Sequence, residues 1–302
     1  MGIYEKMNIV ISYLHYAITA AGEYLARAAK RKGLNVITVG PYFGTEMPYG
    51  TDGGMKVSKE YDNKPDIIVS KTDSAPIWFI ENKLDIPVDV WLDVDAGFCL
   101  DGTPKHGKHI RFLTDPHVLR NRYDSRPNYD ITFCSQKRYM RGGEVYLPYG
   151  YDKIWHSPMD VEKTYDVALV GNIYNHRVEL FNNLKHLRTF FKVGIAKEDM
   201  RRIYNQAYIG LNWSTLDDMN ARVFEIMACG ICPVMNEVTD MKGFLVPDED
   251  YIKFDNQSDA IQKINYLLEH KDKLEQIAKN AKDKMNGHSW DDRLQSILER
   301  TL

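Results

Sequence analysis

The sequence has no long apolar run, few cysteines and little net charge. No stretch of about 18 apolar residues occurs among its 302 residues, so no membrane-spanning helix is predicted. Its four cysteines are too few and too scattered for a disulfide framework. The first residues include an acidic side chain and run on into polar sequence, which is unlike a signal peptide. These features predict a cytoplasmic protein, and the formal net charge of −3 disfavours a general polyanion binder.

Two of the cysteines, Cys229 and Cys232, form a Cys-x-x-Cys pair. A zinc site would need a second pair at suitable spacing, which the sequence does not supply. A redox pair needs its first cysteine at a helix N-terminus, where the helix dipole lowers the thiol pKa. Cys229 instead falls where a predicted helix ends, so we interpret the pair as two packed thiols.

Short apolar runs alternate with helical patterns along the first half of the chain. The run NIVISYL, a helix capped by Gly33 and the run LNVITVG form a β-α-β unit, which implies parallel strands. Further strands are predicted at 65–70, 87–95, 109–115, 129–135 and 144–150. This alternation is typical of an open α/β sheet.

The pattern then restarts after a polar segment, 151–164, which we interpret as a linker. Strands are predicted at 165–172, 188–194, 208–214, 231–237 and 251–255, with helices between them and two more at the end. The fold class is therefore α/β, with two Rossmann-like domains facing across a cleft. Their predicted bounds are 1–155 and 156–302, with the last helix able to pack back on the first domain. Ligands of such sheets bind at the carboxyl ends of the strands.

The segment DDMNARVFEIMACGICPVMNE, residues 217–237, places two charges in an apolar helix. A helix is predicted over 218–229, with Asp217 or Asp218 as its cap. Its apolar face is formed by Met219, Val223, Ile226 and Met227. Arg222 and Glu225 project side by side from another face. Either they form a structural ion pair, or they face a ligand.

With its flanks, this segment resembles the C-terminal half of GT-B glycosyltransferases that carry an acidic-x7-Glu motif. Asp217 is followed by seven residues and then Glu225, and EIMACGICPV continues the motif. The sequence departs from the family in three ways: Asp replaces the usual first Glu, Ile226 replaces Ala, and one extra residue precedes Pro233. The pattern N-x-R-x-F-E and the upstream VGN…R resemble most the spore-maturation (CgeB-type) glycosyltransferases. The resemblance covers about residues 165–300.

This resemblance implies transfer of a hexose from a nucleotide sugar, a UDP-sugar in our interpretation, without a metal or other cofactor. Glu225 would accept hydrogen bonds from the ribose hydroxyls, and Asp217 would lie near the donor sugar. The remaining donor-binding residues would hold the diphosphate or read the base; they are Gly171, Asn172, Arg177, Arg222, Gly194 and Ile195. For Arg177, an exposed position in the first helical turn is an equal alternative.

The first half should supply the acceptor site and any catalytic base. Candidates are Asp95 and Asp115, which lie at the carboxyl ends of predicted strands, with Asp93 at the end of the same strand as Asp95, His15 after the first strand, and His117 near Asp115. For each of them, a capping or hydrogen-bonding role is at least as well supported. The sequence leaves open whether the reaction retains or inverts the anomeric configuration.

Positive charge is concentrated in the first half of the chain. Residues 101–143 hold nine Lys or Arg against four Asp. A solvated face explains this excess, but so does an anionic acceptor, whether glycan, protein or nucleic acid. Two alternative functions follow: a DNA-base-modifying glycosyltransferase of viral type, and a non-catalytic relative that binds sugars or nucleotides.

Overall fold

The chain divides into two compact units. The computed structural model describes residues 7–15, 21–42, 64–69, 74–94, 98–117, 129–195 and 197–302. Unit 1 comprises Met1–Pro148 together with Trp290–Leu302, and unit 2 comprises Tyr149–Ser289. Each unit has its own parallel sheet and its own helices, so the predicted α/β class is confirmed.

Unit 1 is built on a seven-stranded sheet of order β3-β2-β1-β5-β7-β8-β9, accompanied by a pair β4-β6. Its strands are β1 Asn8–Ser12, β2 Asn35–Pro41, β3 Ile67–Val69, β4 Ser74–Pro76, β5 Val90–Val94, β6 Cys99–Asp101, β7 Lys108–Leu113, β8 Ile131–Cys134 and β9 Val145–Tyr146. The helices α1 Ala21–Arg31 and α2 Ile77–Leu84 lie between them in sequence. The pairings between neighbouring strands are parallel, as the β-α-β pattern requires.

Unit 2 is built on a five-stranded parallel sheet of order β11-β10-β12-β13-β14. Its strands are β10 Tyr165–Val170, β11 Thr189–Lys192, β12 Ala207–Asn212, β13 Cys232–Asn236 and β14 Ile252–Phe254. Its helices are α3 Asn175–Asn183, α4 Lys197–Asn205, α5 Ala221–Ala228, α6 Gln257–Glu269 and α7 Lys271–Lys284. A last helix, α8 Trp290–Thr301, belongs to unit 1.

The unit 2 sheet is apolar on both faces, which helices cover. In unit 2, Leu169, Ile209 and Val234 from three neighbouring strands are fully buried beneath α6 and α7. In unit 1, α8 packs on α1, with Tyr24 stacked on Trp290 and an ion pair between Arg31 and Asp291. None of the helices within the described ranges has the length and apolar character needed to cross a membrane.

The helix predicted over 218–229 is shorter than expected. It begins at Ala221, and its N-cap is Asn220, so neither predicted aspartate caps it. Asp217 has a positive φ of 54°, a left-handed conformation that cannot begin a helix. The last strand of the unit 1 sheet is also short, Val145–Tyr146, where 144–150 was predicted.

Candidate functional site

The carboxyl ends of the unit 2 strands bring the predicted donor residues to one edge. Because all five strands are parallel, the turn at Gly171 after β10 lies between the ends of β11 and β12. Gly194 and Ile195 follow β11, and the loop after β12 leads into α5, which carries Arg222 and Glu225. Sequence order alone does not show this neighbourhood, since β11 and β12 flank β10 only in the folded sheet.

Glu225 is a buried carboxylate on α5. The residue is 6% exposed, and no group in the described part of the chain donates a hydrogen bond to its carboxylate. Burial raises the pKa of Glu225 to about 7, and the positive charge of Arg222 opposes this increase with a smaller effect. A buried carboxylate of this kind is expected to have partners, and hydroxyl groups of a ligand would supply them.

A histidine from the polar segment before β10 lies close to Glu225. His156 is fully buried, and its Nε2 lies 3.9 Å from Glu225 Oε1. The backbone N–H of Asp152 donates to His156 Nδ1 at 2.9 Å, so the neutral ring carries its proton on Nε2. The ring therefore presents an N–H toward Glu225. No pattern in the sequence identifies His156, which lies in the segment interpreted as a linker.

Arg222 turns away from Glu225 and supports the turn after β10. Its Nε donates to Val170 O at 2.6 Å and its Nη1 to Asn212 Oδ1 at 2.8 Å. Its Nη2 donates to no acceptor among the described residues and lies against Gly171. Within the described residues no ion pair joins Arg222 to Glu225, so the structural-pair interpretation is wrong.

Arg177 lies in the first turn of α3 but is not exposed. Only 3% of the residue is accessible, which excludes the alternative of a solvent-exposed position. Its guanidinium donates to Asn172 O at 2.8 Å and twice to Trp213 O. Arg177 thus ties the turn after β10 to the end of β12. Burial, with Arg222 nearby, lowers the pKa of Arg177 to about 10.

Asp217 accepts hydrogen bonds from another residue of unit 2. Its two carboxylate oxygens accept hydrogen bonds from the N–H and the hydroxyl of Thr239, each at 2.8 Å. Asp217 therefore links the loop after β12 to the 3-10 turn Thr239–Met241. The prediction that it lies near the donor sugar stays a prediction.

Asparagine side chains form hydrogen bonds at the strand ends along this edge. These asparagines were not identified from the sequence. Asn236 accepts from Ser214 N at 2.7 Å and donates to Ser214 O at 3.1 Å. Asn212 accepts from Arg222. Ser214 donates in turn to Asp218. A polar residue at the last position of an apolar strand, as at Asn212 and Asn236, is the signal that could have identified them.

The predicted catalytic residues of unit 1 follow strands of its sheet. His15 follows β1 and is 3% exposed, with its ring stacked on Tyr13 at 3.8 Å. Asp115 and His117 follow β7, and no hydrogen bond joins these two residues. The His117 ring lies instead 5.8 Å from the Tyr139 ring. Asp95 lies outside the described residues.

A buried polar network in unit 1 was also missed. Asp93 is fully buried on β5 and accepts hydrogen bonds from Ser12 Oγ, from Tyr129 Oη at 3.0 Å and from Leu100 N. His109 Nε2 lies 3.1 Å from Asp93 Oδ2. Because its partners come from different segments of unit 1, the buried carboxylate of Asp93 holds these segments together by hydrogen bonds.

Both cysteines of the Cys-x-x-Cys pair are free and buried. Burial raises the pKa of the Cys229 thiol, and that of Cys232 to about 12, so neither is a thiolate at neutral pH. No group of three or more His, Cys, Asp or Glu suited to a metal ion occurs among the described residues.

Replacing Gly171 by alanine should displace Arg222. The new Cβ would lie 1.9 Å from Arg222 Nη2, and the φ of 153° disfavours any residue but glycine. We expect a loss of about 1–3 kcal/mol in the free energy of unfolding, measured by urea denaturation. The control is Gly243→Ala, which has a positive φ of 77° but nothing within 4 Å of the new Cβ. Equal losses in the two variants would show that backbone strain alone, and not Arg222, is responsible.

Solved structures with the same fold cover nearly the whole chain. HepE of Anabaena, in complex with UDP and glucose, is 11% identical with a TM-score of 0.67, over 97% of this chain and 99% of that chain. A sucrose-phosphate synthase from Thermosynechococcus elongatus is 11% identical with a TM-score of 0.61, over 98% of both chains. An alpha-glucosyltransferase in complex with UDP-glucose and DNA containing an abasic site is 11% identical with a TM-score of 0.63, over 98% of this chain and 99% of that chain. The fold is therefore GT-B, with two Rossmann-like domains.

The second half of the chain also matches a protein family. Residues 153–299 match the family described as glycosyl transferase-like, a range that includes Gly171, Arg222 and Glu225. Together with the GT-B fold, this match makes the protein an enzyme of the glycosyltransferase class. No match to a curated protein sequence was found.

Proposed function

We propose that the protein transfers a hexose from a UDP-sugar, bound by unit 2, to an acceptor bound by unit 1. The observation that carries this proposal is the Glu225 carboxylate, which is buried yet accepts no hydrogen bond from the described residues. The ribose of a nucleotide sugar offers two adjacent hydroxyl donors for such a carboxylate. The similar structure of HepE, which contains UDP and glucose, supports the choice of donor.

The diphosphate would lie over the turn at Gly171 and Asn172. Arg222 Nη2 lies against Gly171 with no acceptor among the described residues, and a guanidinium is well suited to phosphate. The first N–H groups of α5, whose N-cap makes no side-chain hydrogen bond, would add donors. Arg177 would hold the turn in place through Asn172 O. The base would be read beside Gly194 and Ile195.

The acceptor would be held at the carboxyl edge of the unit 1 sheet, where His15, Asp95, Asp115 and His117 are the candidate bases. Asp217 would lie near the donor sugar. These assignments follow from strand position, since parallel sheets carry their reacting groups at the carboxyl ends. We also propose that transfer needs no metal or other cofactor, because Arg222 and backbone N–H groups supply positive charge beside Gly171. The resemblance to CgeB-type enzymes rests on the N-x-R-x-F-E pattern.

Calorimetric titration with UDP, GDP and TDP, all in EDTA, tests the donor. We expect UDP to bind most tightly. Arg222→Gln should weaken UDP binding by about 10-fold or more and uridine binding much less, because Arg222 contacts phosphate and not the nucleoside. A general disturbance of the site would weaken both ligands equally. Arg202→Gln, an exposed position on α4, is the control. The proposal fails if no nucleotide binds, or if the ratio of UDP to uridine affinity does not change.

A second candidate is transfer to a base in DNA. The excess of Lys and Arg in residues 101–143 favours it, and alpha-glucosyltransferases of the same fold have been solved with DNA. Binding of a short duplex should then weaken steeply as salt rises. If no duplex binds at low salt, this candidate is eliminated.

A further inference from the structure

A cavity of about 570 Å³ lies in unit 1 at the amino ends of two strands. Its wall includes the residues that begin β8 and β9, the middle of β7 and the end of α8. Three arginines are among the described residues that line it, namely Arg111, Arg141 and Arg300. The cavity is therefore at the other edge of the sheet from the candidate acceptor residues, and it belongs to no site described above.

The carboxylates in the cavity wall already have protein partners. Asp130 pairs with Lys108 at 3.1 Å and accepts from His109 N at 2.8 Å, which hold the pKa of Asp130 low. Glu144 accepts from Arg141 N at 2.8 Å. Arg300 is exposed and makes no hydrogen bond or ion pair within the described ranges. Among the described residues the wall holds three arginines against two carboxylates, so it carries an excess of positive charge.

A row of polar residues crosses the unit 1 sheet and ends in this cavity. Ser12, Asp93, Arg111 and Thr132 are register partners on four adjacent strands, so their side chains share one face. Arg111 and Thr132 line the cavity. Strands of a buried parallel sheet are normally apolar, and a polar row persists where it builds a site.

The row fixes the orientation of one of the guanidinium groups. Tyr129 donates to Asp93 Oδ2 at 3.0 Å, and the guanidinium of Arg111 lies 4.8 Å from the centre of the Tyr129 ring. Asp93 therefore positions Tyr129, and Tyr129 positions Arg111 by a cation–π contact. A pre-positioned guanidinium loses little entropy when it binds an anion.

We propose that this cavity binds a phosphate monoester of sugar-phosphate or mononucleotide size. Arginines suit a dianionic phosphate, because the guanidinium group matches it in charge and in geometry. The volume of about 570 Å³ falls in the usual range for small-molecule sites and leaves room for the organic group of the ester. The basic excess of residues 101–143 contributes two of the three arginines.

Calorimetric titration with inorganic phosphate and with glucose 6-phosphate tests the site. Saturating UDP prevents the probes from binding at the proposed donor site. Constant ionic strength keeps diffuse electrostatic attraction the same in every titration. We expect saturable binding of one molecule, with glucose 6-phosphate binding more tightly than phosphate. Arg300→Gln should weaken both probes by about 10-fold, and because Arg300 is exposed this variant should fold normally. Arg202→Gln, an exposed arginine of unit 2, should leave both unchanged.

Three results would overturn the proposal. The first is absence of saturable binding. The second is equal weakening by Arg300→Gln and Arg202→Gln, which would show a diffuse charge effect. The third is binding of a single-stranded oligonucleotide, weakened by Arg300→Gln, when neither phosphate nor glucose 6-phosphate binds. That result would show that this surface binds nucleic acid instead. Phosphate binding by Arg300→Gln and Arg202→Gln can be compared with or without UDP. The test of this cavity therefore remains valid even if the proposed donor is wrong.

Discussion

Replacing Glu225 by glutamine should stabilise the ligand-free protein above pH 7 and weaken its binding of UDP. The buried carboxylate has a pKa of about 7, raised from 4.5 by burial. Between pH 4.5 and pH 7, the Glu225 carboxyl is protonated in the folded state but ionised in the unfolded state. The free energy of unfolding therefore falls as the pH rises through this window. Above pH 7, burial of the Glu225 carboxylate lowers the free energy of unfolding by about 3 kcal/mol, and below pH 4.5 this loss vanishes.

A neutral amide removes most of this cost. We expect Glu225→Gln to raise the free energy of unfolding by about 2 kcal/mol at pH 8, after allowing about 1 kcal/mol for the buried amide. The gain should disappear near pH 5, and at lower pH the variant should be less stable than the wild type by up to about 1 kcal/mol, because the carboxyl is then neutral in both states and only the cost of the buried amide remains. UDP affinity should fall by about 10- to 100-fold, because a charge-assisted hydrogen bond is lost.

Thermal unfolding between pH 5 and 8, with and without UDP, measures both effects together. UDP should raise the melting temperature of the wild type more than that of the variant, so the advantage of the variant at pH 8 shrinks when ligand is added and reverses where the loss of affinity exceeds about 30-fold. Glu269→Gln, an exposed position at the end of α6, should match the wild type throughout. A variant that is less stable at pH 8, or that binds UDP normally, would contradict the assignment of Glu225. Opposite signs in stability and binding are typical of a residue kept for function.

Replacing Asp93 by alanine should be the most destabilising single change in unit 1. The substitution leaves the hydroxyls of Ser12 and Tyr129, the N–H of Leu100 and the ring of His109 without their common partner inside the sheet. Each buried donor that loses its acceptor costs about 1–3 kcal/mol, and we expect a total of about 3–5 kcal/mol because the groups relax together.

Calorimetry is the appropriate measurement, since two units can melt separately. Asp93→Asn should have an intermediate effect, because its amide oxygen still accepts hydrogen bonds. Asp101→Ala, at the end of β6, should change stability little. UDP binding at low temperature should persist in Asp93→Ala, because Asp93 belongs to unit 1. A loss below about 1 kcal/mol would mean that the network contributes little to stability.

The class of the fold, and the sheet edge that carries the candidate donor residues, could be predicted from the amino-acid sequence. Alternating apolar runs and helices require parallel strands, and parallel strands place their carboxyl ends together. Gly171 and Gly194 could thus be assigned to one edge from strand positions alone. Glu225 was identified by its spacing from Asp217 and by its place in a helix that follows a strand of the same sheet.

The groups that these side chains contact could not be predicted in this way, because they depend on the packing of distant segments. Helical periodicity predicts that Arg222 and Glu225 share a face, yet Arg222 reaches Val170 and Gly171 while Glu225 meets His156. These partners lie roughly 50 to 70 residues away in sequence, so no local period specifies them.

The same holds for Asp217 and for the buried network of unit 1. Seven-residue spacing identified Asp217, but packing of the loop after β12 against Thr239 set its hydrogen bonds. Asp93 stands out in an apolar strand, but Ser12, His109 and Tyr129 reach it only because β1, β5 and β7 are neighbours in the sheet. Local sequence determines which face a side chain occupies, and the order of the strands determines what that face contacts.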